Sequence, residues 1–567
     1  MLELLYYIVQ IQELYMKKII ILTSLLFAFG NLFAQEALKS TEEEYYDFLS
    51  LTGQAERPTL GYRTLSDSEW TVTDENHIWA ENNLGTKYTL FENENPAENW
   101  FANGIDQSVK VKIYGPEWYN SYNTAAPYGQ NDGALWQGKG YNTSFTAGAR
   151  LEAYGFELTF KPQVSYSQNK EFDLMPSVVS SPYGYYQSGI DLPQRFGDDS
   201  IKTFDFGDTE VRYTWHTLTF GAGFQSPWLG SAWLNPMLGS NNAPTYPKID
   251  AGLRKTSVYM PYLGWYIGDI EGRVWVGRLK ESDYFDNNPD NDYRILTGMS
   301  ASFAPSFIPN LTVGVNRIFI ANWAAHNLKY VGRLFTLSKS NGSQVGTHED
   351  EDQKVALFAD WQFPSVGFEV WGELGIDDFT SDELANPFHT AIYSVGAKQI
   401  TPMPVDWLKG EVIAEWNNFE MSQDFQLQWC YTGYYAHSSI VQGYTNKGQV
   451  LGSGSGYFGN SQFLGYKVYH PYGNVMFFYH RYCPDNNYIY NMAVDADASA
   501  DSTTTTINKE HYAQYKTYRT YGVSITQYVT KNFELSASII RIFIANALYG
   551  KKNISEYSVS ITTKYIF

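Results

Sequence analysis

Two stretches of the chain set flat aromatic rings beside side-chain amides, the combination that recognises a sugar. The first holds Trp228, Trp233, Asn241, Asn242 and Tyr246; the second holds Tyr435, His437, Gln442 and Tyr444. An aromatic face lies against the C–H surface of a pyranose, while an amide donates to one hydroxyl and accepts from another. These residues form the candidate polysaccharide-binding set. A packing role is open to the same residues: Asn241-Asn242-Ala243-Pro244 suits a turn, and Gly443, Gly448, Gly452, Gly454 and Gly456 suit a long loop folded into an interior.

Other chemistries are poorly supplied. His437-Ser438 suggests a hydrolase, but neighbours on a strand point to opposite faces, and no nucleophile-elbow motif accompanies them. The chain is not expected to be an enzyme. Asp286-Asn287-Asn288-Pro289-Asp290-Asn291-Asp292 spaces oxygens as a calcium loop does, yet it lacks the sixth-position glycine and carries Thr297 where a glutamate is needed. It reads as a polar turn. The glycines from Gly452 to Gly456 have no lysine after them and do not make a phosphate cradle. No metal or cofactor is called for.

The elements that carry these residues are strands. From Tyr557 to Phe567 the chain alternates, with Tyr557, Val559, Ile561, Thr563, Tyr565 and Phe567 on one face and Ser558, Ser560, Thr562 and Lys564 on the other. One face suits lipid and the other water, and a terminal aromatic resembles the ending of bacterial outer-membrane barrels. A hairpin is equally legible. Phe145, Ala147, Ala149, Leu151 and Ala153 alternate with Ser144, Thr146, Gly148, Arg150 and Glu152; beyond Gly155, Phe156, Leu158 and Phe160 alternate with Glu157, Thr159 and Lys161. Successive inward charges require a polar lumen. Arg150 with Glu152, and Glu369 with Glu373, are expected to be lumenal salt-bridge and hydrogen-bond partners, with Trp371 between the latter two as a bulky filler.

The start of the chain points the same way. Met16-Lys17-Lys18, the apolar run Ile19 to Phe29, and Leu32-Phe33-Ala34 before Gln35 have the order of a secretory signal peptide. Residues 1–15 carry Glu3 and Glu13 and read as an over-extended gene start. Residues 35–104 form an N-terminal periplasmic segment whose short helix runs from Ser40 to Thr52, capped by Ser40 and Glu43, with Tyr45, Phe48, Leu49 and Thr52 on one face and Gly53 as its stop. Residues 105–567 carry the period-two pattern. Ala493 to Asn508 reads as a mobile polar loop.

Composition excludes further classes. Beyond the signal no apolar run approaches the ~20 residues of a membrane-spanning helix. Aromatics make up 17% of residues, which suits girdles at two membrane interfaces. A net charge of −20 argues against a nucleic-acid partner. Cys430 and Cys483 either form one bridge or stand as free thiols on separate strands. The hexapeptide Arg317-Ile318-Phe319-Ile320-Ala321-Asn322 recurs as Arg541-Ile542-Phe543-Ile544-Ala545-Asn546, as equivalent strand ends or as chance similarity.

The run Phe220-Gly221-Ala222-Gly223-Phe224-Gln225-Ser226-Pro227-Trp228-Leu229-Gly230, followed by Ser240 to Pro244, resembles the capsule assembly protein Wzi family. Asn131 to Gly140, Gly277 to Ser282, His437-Ser438 and Gln442 to Gly448 resemble it in the same order. The resemblance implies a transmembrane antiparallel β-barrel of about 18 strands with a small helical periplasmic element. It also implies a lectin that helps attach or organise capsular polysaccharide, with outer-membrane lipid and the capsule export machinery as further partners. The competing class is an open, porin-like channel for small solutes. We expect the protein to fractionate with the outer membrane with Gln35 as its first residue, as mass spectrometry of the N-terminus would read. Phe567→Ser should lower the yield of assembled barrel, and wild-type yield would count against the terminal-strand assignment.

Overall fold

The computed structural model describes residues 40–567 apart from 75, 85–88, 94–99, 324–328, 336–350, 378–388, 423–424, 426–432, 491, 493–513 and 551. The expected signal sequence at 1–34, Cys430 with the bridge considered for it, and the expected mobile loop Ala493 to Asn508 lie outside the described residues. Cys483 is a buried free thiol. No described helix is long and apolar enough to cross a membrane.

One sheet contains 21 strand segments and closes on itself. Thr89–Asn93 only flanks its start, and two staves are each interrupted once, which leaves a closed antiparallel barrel of 18 strands. They are β1 (Val109–Asn123), β2 (Gly140–Ala153), β3 (Phe156–Phe160 continued by Gln163–Ser167), β4 (Ile201–Asp205 continued by Glu210–Trp215), β5 (Leu218–Gly223) and β6 (Lys248–Tyr259). Next come β7 (Tyr266–Lys280), β8 (Tyr293–Pro305), β9 (Leu311–Asn322), β10 (Glu351–Phe363), β11 (Phe368–Asp377) and β12 (Ala391–Thr401). The circuit continues through β13 (Lys409–Asn418), β14 (Asn460–His470), β15 (Gly473–Cys483), β16 (Thr517–Thr530), β17 (Phe533–Ala545) and β18 (Ile554–Tyr565). β18 pairs with β1, Ser560 opposite Ser121, and no edge remains.

The expected hairpin is β2–β3, with Ala153 opposite Phe156 across Tyr154 (φ 53°) and Gly155 (φ 82°). Two left-handed residues in a two-residue loop make a turn whose twist matches the strands. Leu151, Phe156, Leu158 and Phe160 are exposed, while Arg150, Glu157 and Thr159 are buried. The wall is thus inside-out, apolar to lipid and polar to the lumen. The last strand keeps the same order: Tyr557, Val559, Ile561 and Phe567 face out, and Glu556, Ser558 and Lys564 face in. At one end the strands are joined by turns of two to seven residues, and at the other by loops of 8 to 41.

The lumen is filled from both ends. The helix α1 (Thr41–Ser50) starts where expected, with Ser40 Oγ accepting from the Glu43 N–H at 3.2 Å. Glu43 turns instead toward Arg63 at 3.9 Å, and Thr52 is exposed, outside the buried face of Tyr45, Phe48 and Leu49. Those rings pack with Trp79 against Tyr469, Tyr528 and Ile566 at the short-turn end. Three lysines on three strands hold the acids of α1: Lys564 on Glu42 at 2.9 Å, Lys467 on Glu44, and Lys398 on Asp47. Farther in, Tyr62–Arg63 pairs with Trp228–Leu229, and Asp67 takes Arg254 at 2.9 Å and Arg273 at 3.2 Å.

Wall glutamates hold the rest of the filling by its peptide groups. Glu373 accepts from the N–H groups of Ser231 (2.8 Å), Ala232 (2.9 Å) and Met237 (3.1 Å). Glu415 accepts from Trp233 (2.7 Å), Leu234 (2.9 Å) and Asn235 (2.8 Å). Glu271 takes the N–H of Tyr62 at 3.0 Å, and Glu556 those of Ala125 (3.0 Å) and Ala126 (2.7 Å). Arg150 lies 3.6 Å from Glu152, and Glu369 lies 3.2 Å from Lys398, as lumenal partners. Trp371 is buried in the filling, with Lys398 over its ring.

Burial opposes ionisation of Asp47, but Arg57 and Lys398 outweigh it and hold the carboxyl well below its ordinary range. A carboxyl depressed on folding stabilises at every pH above its unfolded value, and the contribution fades only as pH falls through the folded value. Docking of α1 should therefore survive mild acid and weaken only well below pH ~4. Asp47→Asn should leave α1 open to protease at neutral pH, read as cleavage within residues 40–60 of the intact barrel.

Candidate functional site

The two predicted clusters lie inside the barrel at the long-loop side, as parts of inserted loops. Tyr246, Tyr435 and Tyr444 belong to one buried core, with Tyr435 and Tyr444 stacked at 6.1 Å and 13°. Tyr444 donates its hydroxyl to Leu238 O (2.6 Å) and Tyr435 to Met237 O (2.8 Å), which ties the second stretch to the first. Gly443 (φ 59°) makes this possible, since a Cβ there would sit 2.2 Å from Tyr435 O. Trp228 is 1% exposed and donates to Ala232 O at 3.0 Å. Trp233 is half-buried in a separate group, its ring 5.1 Å from Phe463.

The polar members are held as tightly. Asn241 is buried, and its carbonyl accepts from the Gly133 N–H. His437 Nδ1 accepts from the N–H groups of Ser439 (3.2 Å) and Ile440 (3.0 Å), a turn-closing role that leaves Ser438 exposed and apart. Gln442 donates to Glu281 and to Asn291 O. Asp286 accepts from the Asn288 N–H at 2.7 Å, closing the polar turn. Of the nine predicted residues, Asn242 borders a cavity at the loop end. It donates to Val450 O at 2.9 Å and accepts from the Asn131 N–H at 3.3 Å.

That cavity has a volume of about 600 Å³, within the range of ~300–1,000 Å³ usual for ligand sites. Its walls come from the loops after β1, β3 and β17, the 448–457 stretch, and the long-loop ends of β15 and β16. Tyr482 and Tyr518, opposite one another on β15 and β16, stack at 4.5 Å and 6°. Trp136 stands against Phe196 at 4.9 Å. Lys516 lies over the rings of Tyr518 (5.5 Å) and Tyr549 (6.0 Å). Burial lowers the Lys516 ammonium to about 8 and raises the Asp132 carboxyl to about 7, the latter only partly offset by the Gln137 amide. The cavity thus sets an ammonium and a carboxyl group between flat aromatic faces.

Sequence reasoning missed Tyr482, Tyr518 and Lys516. The signal was available, because Tyr482 and Tyr518 fall on the inward parity of their strands beside the longest loops.

A family model for the capsule assembly protein Wzi matches residues 119–540. The chain belongs to that family. The fold agrees: Wzi of Escherichia coli, whose structure is described as a carbohydrate-binding β-barrel of the outer membrane involved in group 1 capsule assembly, superposes with a TM-score of 0.56. Identity is 9%, over 94% of this chain and 98% of that one. OprB of Pseudomonas putida covers 81% of this chain and 94% of its own at 11% identity and a TM-score of 0.37. No curated protein matches the sequence. This Wzi-family chain is an outer-membrane protein.

Because the predicted rings are core residues, Trp228→Ala and Tyr444→Ala should act first on stability. A loss of about 3–5 kcal/mol is expected for a fully buried large ring. Loss of heat-modifiable mobility at a lower temperature would show it, and unchanged stability would mean that the loops do not need these rings.

Proposed function

We propose that the protein is a lectin of the cell surface, and that the cavity at its loop end binds capsular or exopolysaccharide and assists its attachment or assembly. The observation that carries this reading is a plugged family barrel whose long-loop end holds a cavity lined by aromatic rings and side-chain amides. Long loops of such barrels lie outside the cell and short turns in the periplasm. In that orientation α1 and Trp79 pack into the periplasmic mouth, and Tyr518, Tyr482, Trp136 and Asn242 meet polymer from outside. Removal of residues 1–34 on export, contact with outer-membrane lipid and contact with the export machinery belong to the same reading.

The role is binding rather than catalysis. His437 closes a turn, and among the described residues no hydroxyl or thiol is hydrogen-bonded to Asp132 or Lys516 as an activated nucleophile would be. Support for a plugged form over a channel comes from the same glutamates that hold the loops, since a segment fixed by three N–H bonds per carboxylate does not swing aside cheaply.

Purified protein should co-sediment with the producing strain's own polymer. Tyr518→Ala should weaken that binding about fivefold, the effect of a stacked ring worth on the order of 1 kcal/mol, with folding intact. Deletion of the gene should leave polymer synthesis unchanged while polymer is shed to the medium. Absence of polymer binding together with steady conductance in planar bilayers would replace this reading with the channel.

A further inference from the structure

The outer wall carries three arginines close together at its long-loop end. Arg481 on β15 stands directly opposite Arg519 on β16. Arg541 on β17 is opposite Tyr521, one outward step nearer the short turns. All three share the parity of Phe477, Tyr521, Val523 and Ile539, which are exposed, whereas His480, Thr520 and Ile542 between them are buried. The arginines therefore point away from the lumen.

Their surroundings do not neutralise them. Arg519 stacks on Phe543 at 4.8 Å and Arg541 on Tyr557 at 4.4 Å. Arg481 donates to Asn460, to Gln462 at 3.0 Å and to Cys483 Sγ at 3.1 Å. None of the three has a carboxylate within ion-pair distance among the described residues, in a chain with 60 acids against 40 bases. Like charges directly opposite across a ladder destabilise it. A cation on the lipid face costs far less near the interface than at mid-membrane, so the long-loop end of the wall is where a guanidinium is tolerable and an anion is reachable.

We propose that this patch binds the phosphate of a lipid headgroup in the outer leaflet. A guanidinium seated over a ring keeps its N–H groups for other partners, and its planar fork matches phosphate oxygens two at a time. The next outward row, Phe477, Val523, Ile539 and Val559, is apolar and lipid-facing. A ligand seated on the arginines therefore meets hydrocarbon immediately below, which suits an acylated phosphate over a free one. The lipid-facing position follows from the barrel fold; only the choice of leaflet rests on the orientation proposed above.

Native mass spectrometry of the full-length protein in detergent tests this with three probes: lipid A, lipid A stripped of its phosphates, and inorganic phosphate. The wild type should hold lipid A at least tenfold more tightly than the dephosphorylated lipid. Arg519→Gln with Arg541→Gln should erase that difference, and Arg519→Lys with Arg541→Lys should keep part of it, each with heat-modifiable mobility as the check of folding. If the Gln pair does not fold, the Lys pair and the dephosphorylated lipid decide. Equal retention of the two lipids, or a Gln pair that binds like wild type, overturns the site. Displacement of lipid A by equimolar inorganic phosphate overturns the lipid assignment.

Discussion

A carboxylate on the inner wall of a barrel has water as its partner only while the lumen is open. Once loops fill the lumen, each inward glutamate must be met by a donor, or the filling is paid for in stranded charge. Glu271, Glu373, Glu415 and Glu556 are met by peptide N–H groups, two or three each, from segments that enter between them. Those same N–H groups belong to irregular backbone and have no ladder partner of their own. Wall and filling thus satisfy one another, and neither is stable in this form alone.

The filling is held in two ways. At the short-turn end attraction is between side chains, with wall lysines on the acids of α1 and the wall acids Glu369 and Asp360 on Arg57. Farther along the lumen Glu373, Glu415 and Glu556 hold the filling by its backbone N–H groups. The hub between them mixes the two, with Arg212 between Glu210 and Asp250, and Arg273 bridging Asp250 to Asp67 of the inserted segment. Removing one member of such a hub leaves a buried charge unpaired, which is costly, whereas the intact set contributes less than its count suggests.

This division explains what the sequence made legible. Strands, their inward and outward faces, the hairpin at Gly155 and the terminal strand follow from period-two alternation, because lipid and lumen impose opposite chemistry on adjacent residues. The lumenal places of Glu369, Glu373 and Trp371 were readable for the same reason. Which loops turn inward was not readable, because the bonds that hold Ser231, Ala232, Trp233 and Leu234 to the wall are made by peptide N–H groups, which every non-proline residue carries. Trp228, Tyr435 and Tyr444 look alike in sequence whether a ring meets a sugar or another loop, so residue type alone does not separate site from plug. Tyr482 and Tyr518 escaped notice because a strand residue of correct parity looks like wall.

The cavity inherits its shape from those backbone contacts. Glu556 holds Ala125 and Ala126 beside the stretch that carries Trp136. Asn242 joins that stretch to Val450, and Ser240 donates to Gly452 O at 2.6 Å. Three loops distant in sequence are thereby fixed against two rigid strand ends that carry Tyr482 and Tyr518. A polysaccharide repeat contributes weak contacts one sugar at a time, and ordering three loops on arrival would consume much of that contribution. Under the lectin reading proposed above, loops already ordered by the wall leave the stacking and hydrogen bonds of each sugar available to affinity, an advantage a filled barrel has over an open one for holding polymer.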